Sequence, residues 1–119
     1  MKLLIVDDSA AMRRIITEVL PEEDKKLECR NGKEAIAAFV AHQPDWVLMD
    51  IQMNGVDGLS AAEAIKAEHP EARIIFVTAY DEPRYRAAAM KLGANGYVLK
   101  DRLDEINAII AAYEGKANP

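Results

Sequence analysis

A single cysteine, Cys29, occurs among the 119 residues. An intrachain disulfide is therefore excluded, as is a cysteine-rich metal motif, and a reducing, cytoplasmic setting is the simplest match. Basic residues are in deficit, 15 Lys and Arg against 20 Asp and Glu, and they are scattered. A chain of net charge −5 with no basic cluster offers no surface for nucleic-acid phosphates. No apolar run approaches the length of a membrane span, and the start lacks a secretory signal pattern. No glycine-rich loop ending in Lys-Ser/Thr occurs, which disfavours a nucleotide switch. Repeats, low-complexity segments and interdomain linkers are absent as well. What remains is half hydrophobic, enough for one core. The expectation is a single domain over residues 1–119, with 115–119 ("GKANP") as a tail.

Short apolar runs alternate with longer helical patterns. The strand candidates are Leu3–Val6, Leu27–Cys29, Trp46–Met49, Ile74–Val77 and Gly96–Leu99. Most are continuously apolar, as strands covered on both faces are. A first helix is expected from Ala10 to about Leu20, with Met12, Ile15, Ile16 and Val19 on one stripe. A second follows the cap-like pair Asn31 and Glu34. A third starts near Asp57 and ends near Glu68, before His69-Pro70. A fourth runs from about Glu82 to Leu92 and stops at Gly93, and a fifth carries Leu103, Ile106, Ile109, Ile110 and Tyr113 on one face. Strict alternation of five strands and five helices predicts an α/β, doubly wound (flavodoxin-like) fold with a five-stranded parallel sheet in the order 2-1-3-4-5. Ligands in such folds bind beyond the carboxyl ends of the strands, at the switch in strand order.

The polar residues at those ends form a pattern. The first strand ends in Asp7 and Asp8, the third in Asp50, the fourth in Thr78 and the fifth in Lys100. The second ends in Cys29-Arg30-Asn31, with no comparable group, which suits an edge strand away from the crevice. Three carboxylates within about 4–5 Å of one another would repel by roughly 3–4 kcal/mol per pair at an effective dielectric of 20. Lys100 offsets only part of that. A hard divalent cation is the economical remedy, and Mg²⁺ favours carboxylate oxygens together with phosphate. A small cation, a carboxylate, a hydroxyl and an ammonium suit phosphoryl transfer.

With "LLIVDDS", "RNGKEAI", "DWVLMDIQMNGVDGL", "IIFVTAY" and "GANGYVLKD", the chain resembles the receiver domains of two-component response regulators over essentially its whole length. The resemblance implies that Asp50 accepts a phosphoryl group from a histidine kinase or phosphotransfer protein. It implies Mg²⁺ (or Mn²⁺) held directly by Asp8, largely through water by Asp7, and by Asp50 and the main-chain carbonyl of Gln52. Thr78 and Lys100 would bind phosphoryl oxygens. Tyr97 falls at the family's aromatic switch position and would turn inward as Thr78 moves to the phosphate. That change would alter the face built from the fourth helix, fifth strand and fifth helix, the expected site of homodimer pairing and of contact with an output protein or attached output domain. Gln52 and Tyr80 would line the site entrance.

The chain also departs from the family pattern. Asn54 stands where Pro is common, so the loop should be more mobile. Asp101 follows Lys100 where Pro is common. A non-proline cis bond costs about 3–4 kcal/mol, so the Lys100–Asp101 bond is expected to be trans. Two other functions stay open at this level. One is a Mg-dependent aspartyl-phosphate phosphatase or phosphotransferase, although the cap insertion expected of such an enzyme is missing. The other is a receiver-like binding module that is never phosphorylated. Bland roles are expected for the remaining polar and bulky residues: helix-end placement for His42 and His69, packing for Trp46, Met49, Met53 and Cys29, and a solvated loop for Pro21–Asp24.

Overall fold

The computed structural model describes the backbone of residues 1–117 and the side chains of residues 1–114. The elements, in chain order, are β1 Lys2–Val6, α1 Ala10–Val19, β2 Lys25–Cys29, α2 Gly32–His42, β3 Trp46–Met49, α3 Gly58–Glu68, β4 Ile74–Thr78, α4 Pro83–Lys91, β5 Gly96–Leu99 and α5 Asp104–Ala117. The strands pair in parallel in the order β2-β1-β3-β4-β5. α5 runs through residues 115–117, the first part of the expected tail, while residues 118–119 lie outside the described residues.

The continuous apolar strands are explained by two cores, one on each sheet face. Successive strand side chains point to opposite faces. Leu4 and Val6 of β1 join Val47, Met49, Ile74 and Phe76 beneath α2, α3 and α4, where Ala35, Phe39, Ala61, Ala62, Ile65 and Ala89 meet them. Leu3 and Ile5 join Trp46, Leu48, Ile75, Val77 and Val98 on the other face, against Ile16 and Leu20 around α1 and Ile106 and Ile110 of α5. Burying a residue such as Phe76, with no exposed surface, contributes about 1.5–3 kcal/mol. Placing α1 on one face and α2–α4 on the other lets the chain wind outward in both directions from β1, as right-handed crossovers require.

Local chemistry sets the helix starts. Ser9, Asn31 and Asp57 accept the N–H groups of Met12, Glu34 and Ser60 and cap α1, α2 and α3. Glu34 reaches back to the N–H of Arg30 at 2.9 Å. α4 has no side-chain cap and begins instead at Pro83. It ends at Gly93, whose φ of +89° few other residues adopt.

Two expectations need correction. β2 begins at Lys25, two residues before the apolar run, because Lys25 and Lys26 pair with Lys2 and Leu3 along β1. Charged residues there keep an edge strand from pairing further. On α1, Ile16 is buried, but Ile15 is 46% exposed and leaves the apolar stripe, whose buried end is Leu20. The Lys100–Asp101 bond is trans, as expected. No helix among the described residues is long and apolar enough to cross a membrane.

Candidate functional site

The sheet ladder runs one residue past three strands, and those residues are the acidic and basic ends predicted. The N–H of Asp7 donates to the Cys29 carbonyl at 3.1 Å, that of Asp50 to the Val6 carbonyl at 2.9 Å, and that of Lys100 to the Thr78 carbonyl at 2.9 Å. Their backbones are thus fixed by the sheet, although their side chains stand at its rim. Arg13 Nη1 also donates to the Asp7 carbonyl at 2.7 Å, while its Nε donates to Glu28 at 2.8 Å.

Asp7 is fully buried, Asp50 is 5% exposed and Asp8 is exposed, and one oxygen from each lies within 4.8 Å of the others. Lys100 Nζ stands 3.0 Å from Asp7 Oδ2 and 3.2 Å from Asp50 Oδ2. Asp7 Oδ2 therefore has the Lys100 ammonium as a counter-charge, but no contact to it meets full hydrogen-bond geometry. Asp7 Oδ1 accepts the N–H of Ser9 at 2.9 Å, and Asp50 Oδ1 that of Ile51 at 2.8 Å. Burial pushes the Asp50 carboxyl up to about 6, Lys100 opposes the shift, and Asp7 adds to it. Burial works against the Lys100 charge, but the Asp7 and Asp50 carboxylates outweigh it and raise its pKa. With all three carboxylates ionised, the cluster holds three negative charges against one positive. Its hard oxygen donors, together with a buried carboxylate oxygen that lacks a full hydrogen bond, fit a divalent cation such as Mg²⁺.

Above Asp50 opens a cavity of about 380 Å³, lined by Asp8, Asp50, Gln52, Met53, Asn54, Ala79, Tyr80 and Lys100. Of the predicted site residues, Asp8, Asp50, Gln52 and Lys100 stand on its wall, with Tyr80 at the edge. Asp7 lies beneath it. Thr78 is fully buried at the end of β4, and its Oγ1 accepts the N–H of Tyr80 at 3.1 Å. Tyr97 is half-buried away from the cavity. Its hydroxyl donates to the Tyr80 carbonyl at 2.6 Å, and the Arg86 guanidinium lies 4.5 Å over its ring. Arg86 is itself paired to Asp81 at 2.7 Å.

The Asp pair is not a helix cap, because Ser9 fills that role for α1. Three supporting residues escape sequence reasoning. Gly58 lies so close to β3 that a Cβ there would come within 1.8 Å of the Asp50 carbonyl oxygen, and its N–H donates to the Ile51 carbonyl at 2.7 Å. A glycine directly after the cap residue Asp57, where better helix formers are available, was the only hint. Arg13 and Arg86 act through partners, Asp7 and Glu28 for one and Asp81 and Tyr97 for the other, that no helical or strand spacing pairs with them.

Fold and site together define a class: a doubly wound α/β domain with a cation-ready acidic pocket and a lysine at the switch point of its sheet. The chain belongs to the response regulator receiver domain family, whose description matches residues 3–111. The chemotaxis protein CheY of Halobacterium salinarum is 39% identical over 100 residues, 83% of each protein. The oxygen regulatory protein NreC of Staphylococcus haemolyticus is 34% identical over 122 residues, 98% of this chain and 56% of that protein. The chain thus spans just over half the length of NreC. Among solved structures, a LuxR-family DNA-binding response regulator from Staphylococcus aureus superposes with a TM-score of 0.85 at 27% identity, covering 93% of this chain and 96% of that one.

Proposed function

We propose that this receiver domain is a phosphorylation-driven switch in which Asp50 takes a phosphoryl group from a phosphohistidine on a kinase or phosphotransfer partner. The observation that carries the reading is Lys100 bridging Asp7 and Asp50 at the floor of an open cavity, with Asp8 beside them. Asp50 Oδ2 is the attacking oxygen. The Asp50 Oδ–P bond forms as the P–N bond to the donor imidazole breaks. Lys100 balances charge on the phosphoryl oxygens, and the Thr78 hydroxyl is the nearby group able to donate to one of them once it leaves the Tyr80 N–H. Asp7, Asp8, Asp50 and the Gln52 main-chain carbonyl would hold Mg²⁺. When bound, the ion supplies charge neutralisation at the phosphoryl group. The domain promotes its own phosphorylation and dephosphorylation and does not turn over a free metabolite.

Once Thr78 gives up the Tyr80 N–H, the segment of Tyr80, whose carbonyl holds the Tyr97 hydroxyl, is released. Tyr97 then turns inward and the α4–β5–α5 face changes, a two-state bias. That face is where an output protein, an attached output domain or a second copy would engage, and the 78% exposed Met90 of α4 supports an apolar contact there. The cytoplasm, where phosphohistidine donors work, is the proposed location.

Incubation with acetyl phosphate tests the reading by intact mass. One phosphoryl group is expected with Mg²⁺, and none with chelator or in Asp50→Asn. Uptake that persists in Asp50→Asn would refute it.

A further inference from the structure

The Tyr85 hydroxyl has no part in the chemistry just described, yet it grips a residue that does. Tyr85 lies in the first turn of α4, and Gln52 Nε2 donates to its oxygen at 2.8 Å across 33 residues of sequence. The same oxygen accepts from Arg84 Nη2 at 3.4 Å, and the Arg84 guanidinium sits 4.8 Å over the Tyr85 ring. Tyr80 closes the other side, edge-on, with ring centres 6.0 Å apart. Gln52 and Tyr80 line the cavity above Asp50, whereas Tyr85 stands behind them. An exposed glutamine otherwise samples many rotamers. Here one hydrogen bond from outside the cavity holds it in place.

We infer that Tyr85 is a positioning residue that fixes the Gln52 side chain across the cavity mouth and thereby prolongs the life of a phosphoryl group on Asp50. The inference rests on the Asp50 reading above. Asp50 is buried at the cavity floor, so water attacking phosphorus in line with the Asp50 Oδ–P bond has to arrive from the mouth. In that step the water oxygen bonds to phosphorus as the P–Oδ bond breaks. The electron pair returns to the Asp50 carboxylate, and the water protons leave on inorganic phosphate and to solvent. A carboxamide tethered to Tyr85, whose ring packs edge-on against Tyr80, narrows this approach, and a freed one opens it.

The test loads the full chain with acetyl phosphate and Mg²⁺, removes the donor by desalting and follows loss of phosphoryl mass. Tyr85→Phe keeps the ring and deletes the hydroxyl. Its decay should be faster by roughly threefold to tenfold, the ratio that one hydrogen bond of ordinary net strength sets. Gln52→Ala should also speed decay, and adding Tyr85→Phe to it should change nothing more. Unchanged decay in Tyr85→Phe overturns the inference. So does an equal acceleration in the Gln52→Ala background, because Tyr85 would then act by another route. Native protein that takes up no phosphoryl group overturns the Asp50 reading itself, a failure visible before any decay is measured.

Discussion

Asp50→Asn should stabilise this protein at neutral pH. In the folded chain burial holds the Asp50 carboxyl at about 6, against an ordinary value of 3.8. Below pH 3.8 the group is protonated in both folded and unfolded chains and costs nothing. As pH rises through 6 the folded chain has to ionise a carboxyl that burial disfavours, and the unfolded chain has already done so. Stability is therefore lost between about pH 4 and pH 6. A shift of about two units corresponds to about 3 kcal/mol. The amide of Asn carries no charge to desolvate, so the variant should gain up to about 3 kcal/mol at pH 7, a figure in which the opposing attraction of Lys100 is already included. Lys100 keeps its contact with Asp7. Urea unfolding in chelator, at steps from pH 4 to pH 7, measures both chains, and other acidic groups cancel in the difference. The gap between variant and native should open as pH rises through this window. Saturating Mg²⁺ should close it, because an ion at a hundredfold its dissociation constant stabilises the native protein by about 2.7 kcal/mol. A variant that is less stable at pH 7, or a gap that does not change with pH, would refute the reasoning.

Four further outcomes follow from the same geometry. Gly58→Ala forces a Cβ against the Asp50 carbonyl and should cost about 1–3 kcal/mol of stability in thermal unfolding and slow phosphorylation, whereas Ser60→Ala on the same helix should spare the phosphorylation rate. Lys100→Met leaves Asp7 and Asp50 without a counter-charge; it should destabilise the metal-free chain by about 3–5 kcal/mol yet tighten Mg²⁺ binding in calorimetry. Arg86→Ala removes the cation from the Tyr97 ring, and fluorotyrosine NMR should show a second, buried Tyr97 environment growing without phosphorylation. Cys29, pushed up to about 11 by burial and then by Glu34, should react with a thiol reagent at pH 8 only after unfolding.

The sequence carried the fold because β1, β3, β4 and β5 carry apolar runs that face both cores, and α1 to α4 start at a capping residue or at Pro83. Asn31 and Asp57 act where local pattern placed them. β2 is longer than its apolar run because its first two residues are lysines, which hydropathy reads as loop and only the pairing with β1 reveals as strand. Ile15 falls at the margin of the apolar stripe, where periodicity cannot separate a buried position from a helix flank. The site was legible where topology alone determines position: Asp7, Asp50 and Lys100 are the first residues past their strands, and strand order decides that they meet. The links that tune it were not. Gly58 against Asp50, Gln52 with Tyr85, and Arg86 on Tyr97 depend on how α3 and α4 seat on the sheet, which no local pattern encodes.

The central claim is that Asp50, of the three clustered carboxylates, carries the phosphoryl group. Borohydride reduction of the phosphorylated chain converts an aspartyl phosphate to homoserine, and peptide sequencing by mass finds where. Homoserine at position 50, and at neither 7 nor 8, is the expected result. Homoserine at Asp7 or Asp8, or a phosphoryl group that survives reduction on another residue type, would contradict the account.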